Sequence, residues 1–233
     1  MDKGTLLVVG AAGDVGRGIV AEALASGRKV IAAGRDASRL ASLAREHEGA
    51  ELACVAGDLA SESGAEKLWQ EARAAHGGID DVVVSVQGTA ALKLLCETGA
   101  EELAASYAAN VLTHFNAAQA FLPLMPENGM LIGIGGGTAD FIFPKVADIS
   151  MGQAALRMLY RGLAKECRTG AQPRELMIVS MVAGESNRDS APPDWLTDRE
   201  IGRHVCAILD RPEEFSGPIL RLKSREQVGK PED

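Results

Sequence analysis

Residues 10–18 read GAAGDVGRG, and they lie between a predicted strand, Thr5–Val9, and a segment of helical period. Glycines allow a backbone to turn tightly and to approach an anion closely, and the free N–H groups at the start of the following helix attract negative charge. A strand, a glycine-rich turn and a helix in this order predict a turn that binds the phosphates of a dinucleotide. The glycines alone are weak evidence, and a tight turn without a ligand is the alternative.

The rest of the chain alternates short β-branched runs with longer segments of helical period. The predicted strands are Thr5–Val9, Lys29–Ala33, Leu52–Ala56, Asp81–Val86, Met130–Ile134, Leu176–Met181 and Ile219–Leu222. This alternation predicts an α/β protein with a doubly wound Rossmann fold, in which a single parallel seven-stranded sheet carries helices on both faces. Two helices are predicted to begin with capping boxes, one at Thr98–Glu101 and one at Thr197–Glu200.

Composition argues against several classes of function. The 233 residues are 46% hydrophobic, and we expect them to form one domain over 1–233. A formal net charge of -8 with no long run of Lys or Arg argues against a nucleic-acid partner. No apolar stretch is long enough to cross a bilayer, so no membrane partner is expected. The cysteines lie far apart in sequence, so we expect no metal site, no disulfide framework and a cytoplasmic location.

The end of the second predicted strand indicates which dinucleotide is bound. Turns of this kind that bind NAD place an acidic residue there to hold the 2′-hydroxyl of the adenine ribose, whereas this chain has Gly34 followed by Arg35. A cation without a neighbouring acid at that point favours a 2′-phosphate. The sequence therefore predicts NADP(H) in preference to NAD(H), with Arg39 as a second contributor. The alternative is that both arginines are solvated charges at the start of a helix.

These motifs resemble the short-chain dehydrogenase/reductase family over nearly the whole chain. The glycine turn is similar to the family's T-G-x-x-x-G-x-G, although Asp14 replaces its middle glycine, and Gly13 restores the G-x-x-G-x-x-G spacing of other branches. Asp58 matches the acidic site after the third strand, and Gly88 ends the segment that stands for the family's N-N-A-G. The resemblance implies a cofactor site formed by Gly10, Gly13, Asp14, Val15, Gly16, Arg35, Asp58, Leu59, Gly88 and Gln153.

The resemblance fails at the residues that carry the family's chemistry. Gly136, Ile149 and Gln153 occupy the positions of the catalytic Ser, Tyr and Lys, and Asn110 alone matches the fourth catalytic residue. In the family the tyrosine exchanges a proton with the substrate while a hydride is transferred at the nicotinamide. The lysine lowers the pKa of the tyrosine, and the serine stabilises the carbonyl oxygen of the substrate. Isoleucine, glutamine and glycine cannot do this, although Gln153 can still hydrogen-bond ribose hydroxyls.

Two classes of function stay open. The first is an NADP(H)-dependent oxidoreductase for an unknown small-molecule substrate, or a non-redox lyase or isomerase on the same scaffold. A substitute acid or base would come from Asp140, Lys145, Asp148 or His114, each of which also has an ordinary structural explanation. The second is a catalytically silent NADP(H)-binding subunit or sensor.

Two further expectations concern surfaces. Small residues at positions 104, 105, 108 and 109, together with the predicted helix Ala154–Ala164, predict close helix contact between subunits, and we expect a homodimer or a homotetramer. Packing of these alanines within one subunit is the alternative. The polar segment Gly184–Asp194 follows a strand and is either a lid over a substrate or a simple surface connection.

Overall fold

The computed structural model describes residues 3–88 and 92–232. The strands are β1 (Thr5–Val9), β2 (Lys29–Gly34), β3 (Leu52–Ala56), β4 (Asp81–Val84), β5 (Met130–Gly136), β6 (Gln172–Ile178), β7 (Val182–Ala183), β8 (Leu196–Thr197) and β9 (Ile219–Leu222). The helices are α1 (Asp14–Ala25), α2 (Ala37–Glu46), α3 (Glu62–His76), α4 (Ala100–Tyr107), α5 (Thr113–Phe121), α6 (Ala147–Glu166) and α7 (Asp198–Asp210). None of the helices in the described part of the chain is long and apolar enough to cross a membrane.

Seven of the strands form one parallel sheet in the order β3-β2-β1-β4-β5-β6-β9, which confirms the predicted fold class. Strand β1 pairs with β2 on one side and with β4 on the other. The strand order reverses between β1 and β4, so the connections leave these two strands in opposite directions. A crevice therefore opens at their carboxyl ends, where sheets of this kind bind ligands. Strands β7 and β8 pair with each other in a separate small sheet.

Helices cover both faces of the sheet and bury two hydrophobic clusters. Ile19 of α1 and Val205 of α7 belong to the cluster on one face. Trp69 of α3 and Tyr160 of α6 belong to the cluster on the other face. Because strand β1 is covered on both sides, apolar side chains suit both of its faces, and Leu6–Val9 are all apolar and buried.

The two predicted capping boxes have different outcomes. Thr197 and Glu200 exchange hydrogen bonds at the start of α7, where each side chain accepts the other residue's backbone N–H at 3.1 and 2.8 Å. The box predicted at Thr98 is wrong by one residue, because Gly99 takes the cap position and Glu102 accepts its N–H at 3.0 Å. Two adjacent glutamates follow the threonine, and the spacing alone selected the wrong one.

Strand β6 begins four residues earlier than the sequence predicts. The predicted strand covered Leu176–Met181, whereas the observed strand is Gln172–Ile178. Its first half is polar and was therefore assigned to a loop. The sheet nevertheless continues there, because Glu175 pairs with Gly133 of β5 and with Ile219 of β9. The side chain of Glu175 is consequently buried inside the protein.

Helices α1 and α7 cross so closely that their backbones touch. A β-carbon on Gly18 would overlap the backbone of Asp198, and a β-carbon on Gly202 would overlap the carbonyl group of Gly18. Glycine is thus required at both positions to let the two helices pack on the sheet side by side.

We predict that Gly18→Ala lowers the free energy of unfolding by about 1–3 kcal/mol, because the added methyl group forces α1 and α7 apart. Gly162→Ala is the matched control, since a β-carbon on this glycine of α6 meets no atom within 4 Å. The control should be neutral or stabilising by about 0.5–1 kcal/mol. Urea denaturation measures both, and equal midpoints for the two variants would contradict the assigned contact.

Candidate functional site

The glycine turn between β1 and α1 is shaped by backbone contacts that exclude side chains. Gly10 has a φ of 84°, and a β-carbon there would overlap the carbonyl oxygen of Ser85. A β-carbon on Gly16 would overlap the carbonyl oxygen of Gly10. Gly13 precedes α1 and provides no capping side chain, so the first N–H groups of the helix are left for a ligand.

A cleft of about 510 Å³ opens beside this turn at the carboxyl ends of the strands. Of the predicted cofactor residues, the structure brings six to its wall: Gly10, Gly13, Arg35, Asp58, Leu59 and Gly88. Asp14, Val15, Gly16 and Gln153 are not on that wall. The residues that line the cleft suit a dinucleotide. The glycine turn and the exposed arginines can bind phosphates, and the apolar side chains can pack against an aromatic ring of the ligand.

The side chain of Asp14 is turned away from the cleft. Its carboxylate accepts the backbone N–H of Ser186 at 2.9 Å and the hydroxyl of the same serine at 2.5 Å. Arg17, one turn further along α1, forms an ion pair with Glu185. Segment Gly184–Asp194, the predicted lid or connection, is therefore attached at its start to α1. Asp14 can offer a ligand its backbone but not its side chain.

The wall at the end of β2 carries charge of both signs. Arg35 and Arg39 are exposed there, as the sequence predicted for a 2′-phosphate site. Asp36 lies between them and caps α2, accepting the N–H groups of Ser38 and Arg39 at 2.9 and 3.1 Å. The hydrogen bond from the Arg39 backbone, with that from the Ser38 side chain, lowers the pKa of Asp36. The sequence analysis missed this acid, although an aspartate just before a helix is a common cap.

Asn110, the residue that matches the family's catalytic asparagine, lies in a π-helical turn, Ala108–Leu112, between α4 and α5. Its Oδ1 accepts the N–H of Gly88 at 2.9 Å, and its Nδ2 donates to the carbonyl oxygen of Ser106 at 2.8 Å. The Ser106 hydroxyl in turn donates to Asp148 at 2.9 Å. Asn110 therefore joins the segment after β4 to helix α4. Ser106 of α4 continues this chain of hydrogen bonds to Asp148 of α6.

Gly136 and Gln153 contact each other directly. Gln153 Oε1 accepts the backbone N–H of Gly136 at 2.6 Å. An N–H donor can only face the oxygen of the amide, so this bond also fixes which way the amide points. Ile149 lies one turn earlier in α6 and is buried. The three residues assigned to the lost catalytic positions contain no acid, no base and no hydroxyl group.

The four substitute acids or bases are held elsewhere or are exposed. Asp140 is bound by Arg157, and this hydrogen bond lowers the pKa of the carboxyl group. His114 is fully buried, with Nδ1 at 3.1 Å from the Tyr160 hydroxyl and Nε2 at 3.1 Å from the Val86 carbonyl oxygen. Burial lowers the pKa of His114 to about 4, so the imidazole is neutral. Asp148 accepts the Ser106 bond, and Lys145 is an exposed residue with a positive φ of 69°.

Glu175 is a second ionisable residue, after Asp36, that the sequence analysis missed. It is fully buried on β6, and burial raises the pKa of its carboxyl group to about 8. The Tyr160 ring and the Glu175 carboxyl group fill the space left by two glycines of β5, since β-carbons on Gly133 and Gly135 would overlap them. The alternation of glycines in β5 was the available sequence signal, because missing side chains in a central strand have to be replaced by neighbours.

Comparisons with known proteins agree with this architecture. A profile of the family described as short chain dehydrogenase matches residues 4–183. An uncharacterized oxidoreductase of Staphylococcus aureus (strain N315), SA2266, is 26% identical over 216 residues, which are 90% of this chain and 92% of that protein. The uncharacterized oxidoreductase YghA of Escherichia coli (strain K12) is 29% identical over 121 residues, 52% of this chain and 41% of that protein.

A solved structure shows the same fold over the whole length. An alcohol dehydrogenase from the archaeon Thermococcus sibiricus, complexed with 5-hydroxy-NADP, superposes with a TM-score of 0.80 and 21% identity, covering 99% of each chain. Within residues 3–88 and 92–232 there is no group of three or more His, Cys, Asp or Glu side chains that could hold a metal ion.

Proposed function

This chain belongs to the short-chain dehydrogenase/reductase family, and from that premise we propose that it binds NADP(H) in the cleft beside the glycine turn as a member with a non-standard active site. The observation that carries the proposal is the cleft wall itself. Gly10 and Gly13 have no side chain that would keep phosphates away from the turn, Arg35 lies where the adenine ribose would be held, and Asp58 and Leu59 line the adenine end.

The preference for NADP(H) over NAD(H) is supported by two exposed cations, Arg35 and Arg39, on the same wall. Asp36 is the counter-argument, because a carboxylate there would repel a 2′-phosphate. Its charge is stabilised by the two N–H groups that it caps, and the positive end of helix α2 begins at this residue. Solved structures of the same fold include both cofactor types, since the Thermococcus sibiricus alcohol dehydrogenase holds an NADP derivative and a 7α-hydroxysteroid dehydrogenase holds NADH, so the argument for NADP(H) rests on the two arginines.

The chemistry of the site is set by what surrounds the cofactor position. When bound, NADP(H) supplies a hydride or accepts one at its nicotinamide ring. We propose that this chain offers the Gln153 amide and the Asn110-anchored backbone for positioning, and that it lacks the usual proton donor. An oxidoreductase with an atypical proton donor, acting on a small-molecule substrate, is our first candidate, with a non-redox lyase or isomerase on the same scaffold as a variant of it.

A catalytically silent NADP(H)-binding subunit or sensor is the second candidate. The bound state of the substitute acids favours it, because Asp140 is neutralised by Arg157 and Asp148 accepts a hydrogen bond from Ser106. A free acid or base would have to approach the nicotinamide to support turnover. We also infer a cytoplasmic location, since the described cysteines are all unpaired thiols.

We propose that the protein is a homodimer or homotetramer joined through α4, α5 and α6. The alanines selected from the sequence cannot form this subunit contact by themselves, because those at 105, 108 and 109 line the cofactor cleft. Exposed apolar side chains on these helices and on the π-helical turn between α4 and α5 supply the surface instead: Tyr107, Leu112, Phe115, Met151 and Met158. Light scattering at micromolar concentration should give a multiple of 24.4 kDa, and a monomer mass would reject this assembly.

Arg35→Ala should weaken NADPH binding by roughly 1.5–3 kcal/mol and leave NADH binding nearly unchanged, because a charged hydrogen bond to the 2′-phosphate is lost. Titration calorimetry measures both affinities. Arg45→Ala is the matched control, since this exposed arginine ends α2 away from the cleft wall. Stronger binding of NADH than NADPH by the unmodified protein would reject the cofactor preference.

The protein should reduce simple ketones and aldehydes with NADPH slowly or not at all, because Gly136, Ile149 and Gln153, the residues that we assign to the catalytic positions, offer no proton donor. The triple variant Gly136→Ser, Ile149→Tyr, Gln153→Lys should gain weak reductase activity. The backbone accepts the new serine, since a β-carbon at Gly136 has its closest neighbours at 3.6 Å. Absorbance of NADPH follows both reactions, and fast turnover by the unmodified protein would show that another donor exists.

A further inference from the structure

The carboxyl group of Glu175 lies under the candidate site and has no role in the function proposed above. Its side chain is fully buried, and among the described residues neither of its oxygens has a hydrogen-bond partner. Buried polar groups in proteins are almost always hydrogen-bonded, because their lost hydration has to be replaced. The group that satisfies Glu175 should therefore lie next to it.

The amide oxygen of Gln153 lies over the same glycine as the carboxyl group of Glu175. A β-carbon placed on Gly135 would overlap Glu175 Oε1 and would lie 3.2 Å from Gln153 Oε1. The two side chains thus converge on the space above this glycine. Any other residue at position 135 would fill that space and separate them.

Both converging atoms are hydrogen-bond acceptors, and the orientation of Gln153 cannot be reversed without loss. Gln153 Oε1 already accepts the N–H of Gly136 at 2.6 Å, so a flip of the amide would place its NH₂ group against that donor. Two oxygens that face each other in a dry site repel unless a proton lies between them. Glutamine has none to give at its oxygen, so Glu175 has to carry it.

The surroundings of Glu175 do not supply a closer counter-charge. Helix α6 contributes Arg157 and Tyr160, the segment before α6 contributes Asp140, and β9 contributes Arg221. Strand β5 contributes only glycines at this level. Arg157 is bound to Asp140. Burial raises the pKa of Glu175 more than Arg157 and Arg221 lower it, so the pKa rises to about 8.

We propose that Glu175, as a neutral carboxylic acid, donates a hydrogen bond to Gln153 Oε1 and so holds the Gln153 amide nitrogen toward the ribose of bound NADP(H). This inference rests on the proposed function, because it assigns Glu175 a purpose at the same cofactor site. Glu175 is a positioning residue, since it acts through Gln153. An acid–amide pair would then stand where the family has the charge of a lysine.

The proposal makes cofactor affinity depend on pH. When Glu175 loses its proton, the carboxylate repels Gln153 Oε1. The amide can then no longer both accept the Gly136 N–H and keep its nitrogen directed toward the ribose. Affinity for NADPH is therefore fully present well below pH 8 and falls as the pH rises through about 8. Stability follows the same sign, because the folded protein holds this proton more tightly than the unfolded chain, so stability falls between about pH 4.5 and 8.

Titration calorimetry with NADPH between pH 7 and 9 tests the proposal in four proteins. The unmodified protein should lose about tenfold in affinity, the loss expected for one hydrogen bond. Glu175→Gln should bind as tightly at pH 7 and lose nothing, because an amide donates at every pH. Glu175→Met should bind weakly at both values. In Gln153→Ala the pH dependence of affinity should disappear, although urea denaturation should still show the Glu175-dependent loss of stability.

The outcomes separate this proposal from the proposed function. Absence of NADPH binding by the unmodified protein at every pH overturns both. Tight binding that is the same at pH 7 and 9, in the unmodified protein and in Glu175→Gln, overturns the role of Glu175 and leaves the cofactor assignment standing. A pH dependence that persists unchanged in Gln153→Ala would show that Glu175 acts on the site by some route other than Gln153. Infrared spectra of the unliganded protein provide a check without cofactor, since Glu175→Gln should remove one carboxylic-acid band at pH 7.

Discussion

The contact between backbone atoms at the carboxyl end of β1 is the constraint on which the rest of the structure depends. Gly10 and Gly16 approach neighbouring carbonyl groups so closely that no β-carbon fits. This contact sets the direction of α1, and α1 in turn meets α7 through Gly18. The same lack of side chains leaves backbone N–H groups open beside the cleft. Packing of the helix layer and the access of an anion to the turn therefore have one cause.

A second dependence links the residues that we assign to the family's catalytic positions to the core beneath them. Strand β5 has glycines where larger residues would cover the sheet, and the space is taken by Tyr160 from α6 and Glu175 from β6. Gln153 and Gly136 then complete the surface above through one hydrogen bond. Gly136 and Gln153, which we assign to two of the family's catalytic positions, therefore pack as one unit with this core. The substitution Gln153→Lys in the proposed triple variant thus places a lysine near a buried acid.

The seven-stranded sheet could be predicted because every core strand has an apolar, β-branched stretch between helical segments. Three strands, among them Thr5–Val9 and Ile219–Leu222, have the predicted bounds. The predicted start of strand β6 is four residues too late. The first half of this strand has few apolar residues, and it belongs to the sheet because it pairs with strands on both sides. Local pattern predicts a strand well only where burial and hydrophobicity coincide.

The sequence by itself determined the fold class, the glycine turn and the family, because these depend on local spacing and on backbone geometry that only glycine allows. The tertiary structure alone decided where side chains point. It turned Asp14 to Ser186, placed Asp36 as a cap between two arginines, and buried Glu175 beside Gln153. Direction, burial and the pKa of a carboxyl group depend on atoms far away in the chain, and no local motif contains that information.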